Sequence, residues 1–244
     1  MQKRAENPHF YLDTTFDFSL WSNTLLFAYF PYIALGVFLA GFYWRFKAHN
    51  ASVQALSTQY LSNDREIRWG SNLFHFAIVG VFFGHIFGLL APEPLYIWLM
   101  SNETKRLLAI VMGGLTGLVA LIGIAMMAKR RFTNPAVVAK SSFADKFVVV
   151  LILVQIVTGL LGTIVTAFSP LESYLAIDHW AQGLFIFRPE PGTWLVDTSF
   201  IHKLHMVLGF VIFCVFPFTK LMHMVVVPVK YFFTPNRVIN AGGR

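Results

Sequence analysis

This sequence is short of charge, of cysteine and of carboxylates in its apolar stretches, and each shortage excludes something. Only 13% of its 244 residues are charged while 56% are hydrophobic, and the mean hydropathy is +0.61. Soluble domains carry about a quarter charged residues, so the composition excludes an ordinary soluble domain. The single cysteine, Cys214, excludes a disulfide within the chain, a cysteine-ligated iron–sulfur cluster and, with no C-x-x-C-H sequence, any thioether-attached cofactor. The net charge of +7 does not indicate nucleic acid, because the basic residues sit at the ends of apolar runs and in the segments between them. There is no internal repeat, low-complexity tract or linker to divide the chain.

What is present is a set of long apolar runs. About 20 such residues cross the roughly 30 Å hydrocarbon core. Five runs qualify: Thr24 to Trp44, Trp69 to Pro92, Leu107 to Ala128, Phe147 to Ser169, and Thr198 to Val229, the last broken by Lys203 and Lys220. A lone spanning segment satisfies its backbone only as a helix, so the expected fold is an all-α polytopic bundle of five transmembrane helices. The first run is too long and too aromatic for a signal-peptide core and is expected to stay in the mature protein. The expected organisation is an outer extension over 1–23, a transmembrane domain over 24–229 and a cytoplasmic tail over 230–244.

Basic residues fix the expected orientation. Arg45, Lys47, Arg65 and Arg68 follow the first run; Lys129, Arg130, Arg131, Lys140 and Lys146 lie between the third and fourth; Lys230, Arg237 and Arg244 follow the fifth. The alternate segments hold only Lys3 and Arg4, Lys105 and Arg106, and Arg188. By the positive-inside rule the N-terminus faces outward and the C-terminus faces the cytoplasm. The stretch from Val53 through Ile67 has helical spacing suited to the cytoplasmic interface, and the outer segment from Pro170 to Asp197, with Trp180 and Trp194, is placed to cap the outer face.

Histidines inside the hydrocarbon are costly and read as functional by default. His75 and His85 fall in the second run, His205 and His223 in the fifth. At about 1.5 Å per residue His205 and His223 lie roughly 27 Å apart, and their separation is five full turns of a continuous helix, which puts them on one face. The second and fifth helices run oppositely, so His85 pairs with His205 and His75 with His223. Such pairs suit two bis-histidine b-type hemes. Hydrogen-bonded core histidines and a proton relay are equally open on spacing alone. His75 and His85 are about a quarter turn apart, so two hemes would not be related by translation. Gly80, Gly84, Gly88, Gly113, Gly114, Gly117 and Gly209 allow either bulky cofactors or close helix packing. His202 lies one turn before His205 with an interfacial or proton-handling role open to it; His9, His49 and His179 read as surface residues.

The segments Ser71-Asn72-Leu73-Phe74-His75 and Gly84-His85-Ile86-Phe87-Gly88 resemble the second helix of the gamma, or cytochrome b, subunit of membrane-bound respiratory nitrate reductase. The fifth helix is similar to that family through Leu204-His205-Met206-Val207-Leu208-Gly209, Phe216-Pro217-Phe218, Leu221-Met222-His223 and Val227-Pro228-Val229. Further similarity covers Tyr32-Ile33, Gly36-Val37-Phe38-Leu39, Lys129-Arg130-Arg131, Ala144-Asp145 and Trp180-Ala181-Gln182, nearly everything after about Phe27.

The resemblance implies that His75, His85, His205 and His223 ligate two b hemes, with His85 and His205 on the outer heme and His75 and His223 on the inner. It implies a quinol-binding role for Lys105, which alone would read as a snorkelling anchor. It further implies an inner-membrane subunit that oxidises quinol near the outer face and sends electrons to an iron–sulfur beta subunit and a molybdenum alpha subunit. No nitrate-reducing site is expected in this chain. Residues Met1 to about Leu26 extend beyond the family's usual start and have no assigned role. Related cytochrome b subunits serve sulfur and heterodisulfide complexes, which leaves the acceptor open. A histidine proton-relay transporter is disfavoured by the near absence of carboxylates in the runs, where Gln155 is the fourth run's one strongly polar residue. A purely structural anchor leaves the four histidines unexplained.

Overall fold

The computed structural model describes residues 18–48, 65–188 and 195–224. Among them, all regular structure is helical: α1 (Phe18–Thr24), α2 (Phe30–Ala48), α3 (Arg65–His85), α4 (Glu93–Tyr96), α5 (Asn102–Thr133), α6 (Pro135–Lys140), α7 (Phe143–Phe168), α8 (Leu171–Phe185) and α9 (Phe200–Val215). A wide π turn, Leu25–Tyr29, joins α1 to α2, and another, Ile86–Leu90, extends α3 past His85. Five stretches are long and apolar enough to cross a membrane: Phe18–Lys47, Ile67–Leu90, Asn102–Thr133, Phe143–Phe168 and Phe200–Phe218. Most of the expected interfacial segment after Val53, His9, His49, Trp194 and the tail from Lys230 lie outside the described residues.

Capping explains where the spans stop. The Ser101 hydroxyl accepts from the Thr104 amide at the start of α5, and Ser142 and Asp145 form a reciprocal capping box at the start of α7. At 32 residues α5 is about 48 Å long, well beyond the hydrocarbon thickness, so Lys105 at one end and Lys129 to Arg131 at the other reach polar surroundings.

The helices form an open ring. α3 packs on α5, α5 on α7, α7 on α9 and α9 on α2, whereas α3 and α9 make no extensive contact among the described residues. Phe74, Ala77, Ala120, Ile124, Val149 and Ile156 fill the interior. Glycine allows the closest approach: a Cβ on Gly123 would lie 2.5 Å from the Phe74 amide nitrogen and 2.8 Å from the Gly70 carbonyl, backbone atoms that cannot yield cheaply. The outer faces are apolar, with Phe76 and Phe168 more than four-fifths exposed, as expected where lipid is the solvent.

The fifth span departs from the expected continuous helix. α9 ends at Val215, Phe216–Phe218 and Lys220–Met222 are short 3-10 turns, and Thr219 between them is extended at φ −124°, ψ 176°. Pro217 is the cause, since it has no N–H to donate and its ring crowds the preceding turn. The Thr219 hydroxyl then accepts from the Leu221 amide and starts the chain turning again. The argument that five unbroken turns align His205 with His223 therefore fails; His223 reaches its position through a break and restart.

The segment after Pro170 does cap one end of the bundle, as a helix. Trp180 of α8 donates from Nε1 to the Phe27 carbonyl at 2.9 Å, and Gln182 donates to the carbonyls of Leu89 and Ala91. Phe27, Ile177, Trp180 and Leu195 form a second core beneath it.

Candidate functional site

The four membrane histidines meet in the two predicted pairs, across the side where α3 and α9 stand apart. The rings of His85 and His205 have centres 6.1 Å apart with planes 26° from parallel; those of His75 and His223 are 6.0 Å apart at 65°. Each ring is oriented in the same manner. Nδ1–H donates to a main-chain carbonyl: His75 to Ser71 at 2.7 Å, His85 to Val81 at 2.8 Å, His205 to Gln155 at 3.1 Å, and His223 to Lys220. A carbonyl can only accept, so these contacts put the proton on Nδ1 and leave Nε2 with its lone pair.

Helix α7 holds His205 from behind. A Cβ on Gly159 would lie 2.9 Å from its Cε1, and the Thr158 hydroxyl is 3.1 Å from its Nδ1. Gln155, singled out in the sequence only as a polar residue in an apolar run, donates from its amide to the His205 carbonyl at 3.1 Å and to His205 Nε2 at 3.3 Å. The second contact is the longer, and coordination at Nε2 would take its place. His202 points away from the pair, with Nε2 3.0 Å from the Thr166 hydroxyl; His179 is exposed. The glycines divide into two groups: Gly70, Gly117 and Gly123 sit against neighbouring helices, while a Cβ on Gly84, Gly88 or Gly113 would meet nothing within 4 Å.

Lys105 lies near the same end as His85 and His205. Its Nζ donates to Asp178 Oδ2 of α8 at 2.7 Å, with the side chains 7% and 2% exposed. The ammonium also sits 4.4 Å from the centre of the Tyr96 ring and 5.9 Å from that of Tyr174. Burial pushes the Asp178 carboxyl up and the hydrogen bond and charge of Lys105 pull it back, leaving it at about 6.

The nitrate reductase gamma subunit family matches residues 23–241. This chain belongs to that family. It is 36% identical over 220 residues to the respiratory nitrate reductase 2 gamma chain of Escherichia coli K12, covering 90% of this chain and 97% of that one. It is 35% identical to the respiratory nitrate reductase 1 gamma chain of the same organism, over 90% and 97%, and 29% identical to the nitrate reductase gamma chain of Bacillus subtilis 168, over 86% and 94%.

The chain is thus a multi-pass membrane protein whose relatives are chains of an oxidoreductase complex. Sequence reasoning singled out its four histidines and Lys105, and missed Asp178, a carboxylate of α8 that lies 73 positions from its partner. At the opposite end it also missed a second ion-pair cluster. Asp145 receives Lys220 at 2.8 Å and Arg131 at 4.0 Å, which ties the restarted segment before His223 to α7.

Proposed function

We propose that this chain is the di-heme cytochrome b subunit of a quinol:nitrate oxidoreductase, with one heme between His85 and His205 and the other between His75 and His223. The observation that carries this is the spacing of the rings. A metal held by one nitrogen of each imidazole at about 2 Å would put the two ring centres about 6 Å apart. The separations of 6.1 and 6.0 Å fit that requirement. The fixed tautomers, with Nδ1–H anchored and Nε2 available, fit it as well, since ligating histidines donate their other ring N–H to carbonyls or carboxylates. Gly84 and Gly88, open beside His85, leave room that close packing would have filled. Among the described residues no group of three or more His, Cys, Asp or Glu is placed to hold a bare metal ion, so the pairs suit a metal whose remaining ligands come from a macrocycle.

Iron held by each of these histidine pairs would supply one-electron transfer. The chain's own contribution is to hold two such sites at opposite ends of the bundle, so that electrons cross the membrane within one subunit. Lys105 is the proposed quinol anchor: one N–H is engaged by Asp178, and an ammonium has three. The charge distribution supports an outward N-terminus, which puts Lys105, His85 and His205 outside and His75 and His223 at the cytoplasmic end. There the partners of the family, an iron–sulfur subunit and a molybdenum catalytic subunit, would receive the electrons, and the Asp145–Lys220–Arg131 cluster fixes the local chain.

Membranes containing the whole complex test this in one cuvette. Added quinol is expected to raise a reduced b-type absorption, and subsequent nitrate to bleach it. A b-type signal that quinol reduces but nitrate never reoxidises would sink the nitrate assignment; a signal that quinol cannot reduce would sink the quinol assignment.

A further inference from the structure

Quinol oxidation must dispose of protons as well as electrons, and the neighbourhood of Lys105 contains buried polar groups that the ion pair does not use. Asp178 Oδ2 is taken by Lys105, but Oδ1, equally inaccessible, has no protein hydrogen-bond partner. The hydroxyl of Tyr174 has none either. Unmet buried polar atoms are costly, and these two lie one helical turn apart on the same face of α8. Tyr174 is also part of the wall of a cavity of about 230 Å³ between α7, α8 and the start of α9, shared with Thr166, Ser169, Asp197 and His202. At about 30 Å³ per water that space takes several molecules, and its walls offer them partners. Lys105, Asp178 and Tyr174 thus lie in series beside a polar cavity at the outer end of the bundle, with no direct hydrogen bond between Asp178 and Tyr174.

We propose that Asp178 accepts the proton released by a quinol bound at Lys105, and that Tyr174 relays it into this cavity for release. This rests on the quinol role of Lys105 proposed above. Oxidation of one quinol breaks two O–H bonds. Its two electrons leave singly to the one-electron acceptor at His85 and His205, and its protons go in turn to Asp178, forming one O–H on the carboxyl each time. With a water bridging the two groups, the Tyr174 hydroxyl takes each proton from Asp178 while giving its own to cavity water, so Asp178 is a carboxylate again before the second transfer. Burial, then the charge of Asp178, then Tyr96 push the Tyr174 phenol upward, which keeps it a neutral hydroxyl suited to relay.

Among the described residues, the charged and titratable groups facing Asp178 are few. Lys105 comes from α5 and Tyr96 from α4, and the Ile86–Leu90 turn packed against α8 brings none. Arg106 is committed to the Ser169 carbonyl and Glu103. The accepting form is the carboxylate, which predominates above about pH 6, so quinol oxidation should fall as pH drops through that value.

The test is steady-state quinol oxidation against pH by the intact complex in membrane vesicles, with the heme spectrum confirming assembly of each variant. Asp178→Asn is expected to lower kcat by about 100-fold with little change in KM and to abolish the acid limb. Asp178→Glu restores part of both, and Tyr174→Phe, which removes one hydroxyl, lowers kcat several-fold. Wild-type kcat and acid limb in Asp178→Asn, or a change confined to KM, would overturn the inference while Lys105→Ala still lowers kcat/KM about 10- to 100-fold. Wild-type turnover in Lys105→Ala would instead overturn the quinol-site reading beneath it.

Discussion

Replacing His85 by alanine should remove one b-type heme and stop quinol oxidation, whereas replacing His223 should remove the other heme and leave quinol able to reduce the one that stays. The asymmetry follows from the two pairs lying at opposite ends of the bundle, with Lys105 and α8 at the His85–His205 end. Each histidine would supply one of only two protein ligands of its heme, and among the described residues no third His, Cys, Asp or Glu joins either pair. Even outer-shell partners of a metal ligand are worth about 10–100-fold in affinity, so losing the ligand itself should reduce occupancy and quinol-driven nitrate reduction by more than about 100-fold. In the His223 variant the surviving heme should be reduced by quinol and not reoxidised by nitrate. Heme counts of purified variants, joined to these two redox additions, give the answer. Equal behaviour of the two variants toward quinol would contradict the placement of the quinol site at one end.

Lys105→Met should have two separable consequences. The first is structural: Asp178 stays buried and loses its partner, and breaking one side of a buried pair costs on the order of 3 kcal/mol. Adding Asp178→Leu should recover most of that stability, because an apolar pair of similar volume replaces the buried charges without leaving either unpaired. The second consequence is functional. A hydrogen bond from a charged group is worth about 1.5–3 kcal/mol, so kcat/KM for quinol should fall about 10- to 100-fold. The double variant should not recover it. Thermal stability read from heme release, set beside quinol kinetics for both variants, separates the two. Recovery of turnover in the double variant would reduce Lys105 to a structural role.

Hydropathy carried the five spans because the bilayer imposes a length that a single run must meet, and the opposite directions of the second and fifth spans then put His85 near His205 and His75 near His223. The break at Pro217 was visible as Phe-Pro-Phe but not as a change of course, since apolar composition is the same whether the chain is α, 3-10 or extended. Asp178 was illegible for a different reason. It lies in a short amphiphilic helix between spans, and its meaning comes from Lys105, a contact that no local pattern encodes. Gln155 was legible as an anomaly in an apolar run, yet only the packing of α7 on α9 shows that it addresses His205. The glycines carried a mixed signal that the fold resolves: those facing α3 and α5 backbones serve close packing, and those beside His85 do not.

The most direct test of the central claim is a pyridine-hemochrome count on the purified complex, taken with its reduced-minus-oxidised visible spectrum. Two noncovalent b-type hemes per gamma chain are predicted, with the count falling to one in either His85→Ala or His223→Ala. A chain assembled with its partners and carrying no heme would contradict the account, and the paired histidines would then have to be explained by proton transfer.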